Sequence, residues 1–104
     1  MVQAIENLSA ITGTVVSRQQ HPRLEEYDML ELELERVEPV QGKANLLDSQ
    51  RGTTIQVAVR RELLGDAAPG ARVRCRAKRT PDGAICEARP GPEDFAIMKA
   101  GAGD

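Results

Sequence analysis

The sequence predicts an all-β chain, a small barrel of five antiparallel strands with one short helical turn between the third and fourth. Three observations carry this prediction. Three segments alternate apolar and polar residues with period two, Gly- and Pro-containing turns separate the segments, and only short stretches read as helical. Strict alternation sends successive side chains to opposite faces, so each segment has one face for a core and one for solvent.

Ala10–Arg18 is rich in β-branched residues and reads as the first strand, with Gly13 marking a bulge or bend. Gln19–Glu26, containing Pro22, is a loop. Asp28–Val37 alternates: Leu30, Leu32 and Leu34 on one face, Glu31, Glu33 and Glu35 on the other. Leu and Glu are good helix formers. A helix would smear these leucines around its axis, so the period outweighs the propensity. Glu38–Gly52 is a long connection with a helical turn expected at Ala44–Leu47. Thr53–Arg60 is the third strand, with Ile55, Val57 and Val59 inward. Arg61–Leu64 is one helical turn, stopped by Gly65 and Pro69. Ala71–Arg79 sets Val73, Cys75 and Ala77 against Arg72, Arg74, Arg76 and Lys78, and Thr80-Pro-Asp-Gly83 turns the chain into a fifth strand at Ala84–Arg89.

The chain has 104 residues, which suits one domain with its own core. We read residues 1–89 as that barrel and 90–104 as a C-terminal tail. In the tail Pro92 opens a short helix, Lys99 and Gly101 close it, and Phe95 either docks it on the barrel or leaves it mobile. Aromatic residues make up 2% of the chain, so the core must be aliphatic. No apolar run approaches the roughly 18–20 residues of a membrane span. The N-terminus lacks the basic start and apolar stretch of a secretory signal, and with two cysteines this points to the cytoplasm.

Ile-Thr-Gly-Thr-Val-Val at residues 11–16, and Arg-Glu-Leu-Leu at 61–64 followed by Pro-Gly-Ala-Arg-Val-Arg-Cys-Arg at 69–76, resemble the OB-fold in architecture over residues 10–89. The resemblance implies a ligand face across strands two and three, flanked by the 1–2 and 4–5 loops. The family's helix between strands three and four is reduced here to a turn.

The net charge of −2 conceals a segregation. Residues 21–50 carry eight acids and three bases, whereas residues 51–89 carry nine bases and four acids. Two stripes result and are the candidate binding residues: Glu31, Glu33 and Glu35, and Arg72, Arg74, Arg76 and Lys78. Each reads in its plainest form as a solvated strand face, with Arg76 paired to Glu87 across the hairpin. Read functionally, the acidic stripe is a docking surface and the basic one a phosphate track. Single-strand binders also need stacking rings, worth about 1–3 kcal/mol per base, and Tyr27 is the only candidate in the strands. The leading expectation is therefore a non-enzymatic binding or scaffold module that docks a partner protein or self-associates through its charged faces. A single-stranded nucleic-acid-binding barrel is the alternative.

No cofactor or metal is expected. His21 is the only histidine and reads as an exposed loop residue, and Cys75 and Cys86 show no metal spacing. The two cysteines are expected as buried free thiols, diagonal across the last hairpin, with Ala77 facing Cys86 and Cys75 facing Ala88. Ser9, Ser17 and Ser49 stand in no nucleophile motif, so no enzyme is expected. Arg18-Gln-Gln-His-Pro-Arg23 with Leu47-Asp-Ser-Gln-Arg-Gly52 is similar to the motifs of PilZ domains, small barrels that bind cyclic di-GMP. The two arginines stand one residue too far apart, and Leu47 replaces the expected Asp or Asn.

Overall fold

Strand β1, Ser9–Gln20, is long enough to serve two neighbours. In the computed structural model, which describes residues 6–98, it pairs along its length with β2 (Tyr27–Pro39) and over Ser9–Thr14 with β4 (Arg72–Thr80). A shift of register between Thr12 and Gly13 lets it bend between them, the bulge expected of Gly13. A Cβ at Gly13 would come 2.5 Å from the Glu33 carbonyl oxygen, so only glycine allows this approach.

The ring continues from β2 to β3 (Thr54–Arg60), β5 (Gly83–Cys86) and β4, and closes on β1. The helical turn α1 lies at Arg61–Leu64, where the sequence places it. The pairing is not purely antiparallel, because β3 meets β5 in parallel at Val57↔Ala84 and Ala58↔Ile85. Topology requires this: directions cannot alternate all the way round a ring of five strands, so one neighbouring pair must run the same way.

The alternation sets the inside of the ring. Leu30, Leu32, Leu34, Val57, Val59, Val73, Cys75 and Cys86 are all buried, as their phase predicts, with Ile11, Val15 and Leu64 beside them. Ile55 is only half-buried, because β5 pairs with β3 at Val57 and Ala58 alone and leaves its first residues uncovered. The helical turn expected at Ala44–Leu47 falls slightly later, as a 3-10 turn at Asp48–Gln50. Ala44 instead exchanges backbone hydrogen bonds with the start of the chain, from Leu8 N–H at 3.0 Å and to Glu6 O at 2.9 Å.

The C-terminal helix is not there. Phe95–Met98 forms a sixth strand, β6, antiparallel to β4. The fifth strand stops at Cys86 and covers only Ala77–Thr80 of its side of β4. Backbone groups at Arg72–Cys75 on that side would otherwise lack partners, and β6 supplies them. A helix this short has no comparable support. Cys75 consequently faces Phe95, not Ala88, while Ala77 faces Cys86 as expected. Lys99 and Gly101, the expected end of the helix, lie outside the described residues.

Candidate functional site

The β1–β2 loop begins at His21, which is buried rather than exposed. Its Nδ1 accepts hydrogen bonds from the backbone N–H groups of Arg23 and Leu24, both at 3.1 Å. The Leu24 carbonyl accepts from Tyr27 N–H, and Arg61 N–H donates to the Glu26 carbonyl. A lone loop histidine thus serves as an internal cap that holds the loop in one shape. At the tip Arg23 reaches Asp82 on the β4–β5 turn at 2.9 Å, joining loops 59 residues apart in sequence. That turn is tight: Thr80 pairs with Gly83, leaving Pro81 and Asp82 as its apex.

Between the two loops lies a cleft of about 680 Å³. Its floor is the outer face of three strands. Met29 pairs with Ala58, and Ala58 with Ile85, so these three side chains form a row across β2, β3 and β5, with Gln56 beside them. Gln19 and Gln20 form one wall and Thr80 and Asp82 the other. The floor is neutral, and neither aromatic residue of the chain lines it. Lys78 is paired with Ile85 at one border and Glu31 with Gln56 at another.

The acidic and basic stripes lie outside this floor, on either side of β1. Glu31 accepts a hydrogen bond from Ser17 at 2.7 Å. Glu35 accepts from Thr14 at 2.5 Å and from Arg72 at 2.6 Å, so the stripes meet over β1. The Thr14 hydrogen bond is the largest influence on the Glu35 carboxyl and burial the next, and with Arg72 on the side of Thr14 the pKa is held below its ordinary value. Arg76 grips Glu87 with two bonds of 2.8 and 2.9 Å, as the hairpin pairing predicts, and also reaches Asp94 at 3.4 Å. Arg74 donates to the Glu93 carbonyl at 3.0 Å. Arg74 and Arg76 therefore clasp the loop that carries the chain from β5 to β6. Among the described residues Glu33 and Lys78 enter no ion pair.

Sequence reasoning missed Asp28. It is buried at the end of β2, between Arg18 at 2.8 Å and Arg61 at 3.0 Å. Arg18 also donates to the carbonyls of Gly65 and Ala67 at 3.0 and 2.7 Å. The cluster ties β1, β2, α1 and the loop before β4 together. Only the inward phase of Asp28, shared with Leu30, hinted at this. The PilZ-like residues are not assembled: Arg18 is taken by Asp28 and Arg23 by Asp82, and neither pairs with Asp48. Compared with protein-family models, with curated proteins and with solved structures, the chain matches none of them.

Proposed function

We propose that the protein is a non-catalytic binding module, an OB-like barrel that docks a partner protein in the cleft between its β1–β2 and β4–β5 loops. The observation that carries this reading is the cleft floor: Met29, Ala58, Ile85 and Gln56, apolar and amide groups with no stacking ring. Its position fits the resemblance, since OB-folds bind across strands two and three between these same loops. The loops are already tied by His21 and by Arg23–Asp82, which lowers the ordering cost of binding. A small apolar floor ringed by glutamine amides suits a polypeptide, whose side chains take the floor and whose backbone takes the amides.

The alternative, single-stranded nucleic acid, has Lys78 beside Ile85 in its favour. Against it, Arg72, Arg74 and Arg76 already bind Glu35, the Glu93 carbonyl and Glu87, so phosphates would have to displace internal partners. The same pairs reduce the charge available for self-association through the stripes.

A photo-crosslinking residue at Gln56 tests the reading in the native host. Discrete protein adducts at Gln56, absent when the probe is moved to exposed Glu38, are the expected result. Nucleic-acid adducts at Gln56, with micromolar or tighter binding of labelled single-stranded DNA or RNA that falls steeply with salt, would replace it.

A further inference from the structure

Strand β6 ends the sheet order, and among the described residues no strand pairs with its outer edge. All four of its residues, Phe-Ala-Ile-Met, are apolar. Exposed edges are normally blunted by a charge, a proline or a bulge, because their open backbone groups invite another chain. This one carries none of them. The strand is nevertheless held in place, by Arg74 on the Glu93 carbonyl and by Arg76 on Asp94.

Which backbone groups are open follows from alternation. Arg76 accepts from Glu87 N–H on the β5 side of β4. Arg72 and Arg74, in the same phase, therefore turn their backbone groups to β6, where they face Met98 and Ala96. The N–H and C=O of Phe95 and Ile97 point the other way, out of the sheet edge. Beside Ile97 runs a groove of about 500 Å³, lined by Leu63, Ala67, Ala68 and Pro69 among others.

We propose that this edge is a self-association surface, and that its occupant is β6 of a second copy, antiparallel about a two-fold axis at Ala96. That register sets Phe95 of each copy opposite Ile97 of the other, so all the outward backbone groups are paired. It also agrees with the flanking charges. In the sequence Glu93 and Asp94 precede the strand. A parallel strand would set these acids against those of the other copy, whereas one antiparallel about Ala96 keeps them at opposite ends. The arrangement is isologous and closes at two copies instead of growing into a fibre. It brings the two Leu63–Ile97 grooves to the same side of the joined sheet. This surface is independent of the loop cleft, so either proposal stands if the other fails.

The test is amide exchange by NMR on the full chain, with sedimentation velocity, between about 10 µM and 1 mM. A monomer–dimer equilibrium is expected, with protection of the Phe95 and Ile97 amides rising with concentration. The Ala96 and Met98 amides, already bonded to β4, should stay protected throughout. Ala96→Glu, which sets two carboxylates against each other on the two-fold axis, should weaken the dimer at least about tenfold while leaving the melting of the monomer unchanged. A monomer over the whole range overturns the proposal, and so does a dimer in which the Phe95 and Ile97 amides exchange as freely as in the monomer. An undiminished dimer in Ala96→Glu overturns it as well.

Discussion

Gly83 lies directly against the backbone of Gln56, so closely that a Cβ at Gly83 would overlap the Gln56 carbonyl oxygen. This contact sits where β5 meets β3 and the ring shuts. Gly83 also has φ of +145°, outside the range that side-chain-bearing residues favour. Gly83→Ala is expected to cost about 2 kcal/mol or more, since it combines a clash with backbone strain. Urea denaturation measures it, and a variant as stable as the parent would show that β3 and β5 separate without penalty.

Leu32 is completely buried between the β2 and β3 contributions to the core. Leu32→Ala should lower stability by about 2–5 kcal/mol through lost burial and a residual cavity. An equal change at exposed Val16 should cost less than about 1 kcal/mol. Parity between the two would mean that the strand phase is not what organises the core.

Asp28 predicts a pH dependence. Burial raises its carboxyl, but hydrogen bonds from Arg18 and Arg61, with their charges, outweigh burial and hold the pKa below the ordinary value. The unfolded chain therefore takes up this proton first as pH falls. The stabilisation from Asp28 is complete above about pH 4 and lost as pH drops through the lower folded value. Thermal melts should show stability falling below about pH 4 in the parent and falling less steeply in Asp28→Asn. At neutral pH Asp28→Ala should cost about 3–5 kcal/mol, because it leaves the largely buried Arg18 uncompensated.

Cys75 and Cys86 are free and buried. Hydrogen bonding toward the neighbouring Cys86 thiol, then burial, pushes the Cys75 thiol well above its ordinary pKa. A thiol kept protonated and covered is a poor nucleophile. Ellman's reagent should find almost no reactive thiol in the native protein at pH 8 and both after denaturation. Rapid reaction of the folded chain would contradict the burial.

Arg76 joins the two ends of the 87–94 loop through Glu87 and Asp94. Arg76→Met is expected to loosen residues 87–98 while changing global stability by only about 1 kcal/mol. Faster amide exchange confined to that segment checks this. Uniform loosening of the barrel would instead make Arg76 part of the ring's own support.

The segments whose information is local were legible. Leu30, Leu32 and Leu34 alternate with Glu31, Glu33 and Glu35 whatever strand lies beside them, so the phase of β2 could be read directly, as could those of β3 and β4. The α1 turn at Arg61–Leu64, the hairpin that pairs Ala77 with Cys86, and the bulge at Gly13 are likewise set by a few adjacent residues. Of the site, the glutamate and arginine stripes were visible as patterns. The cleft was not, because His21, Met29, Ala58, Ile85 and Asp82 come from four separate segments with no shared periodicity.

The sequence by itself thus determined which side chains face inward and where the chain turns, because alternation and turn chemistry act within a few bonds. Only the tertiary structure decided the parallel β3–β5 pair, since that follows from closing an odd ring. It also turned Phe95–Met98 from an expected helix into a strand, since the uncovered half of β4 is a vacancy no local propensity records. And it assigned the charges. Arg72 meets Glu35, Arg76 meets Asp94 beyond the Glu87 that the hairpin predicts, and Arg18 meets Asp28, because an ion pair between distant segments is made by proximity in space, which the order of residues does not state.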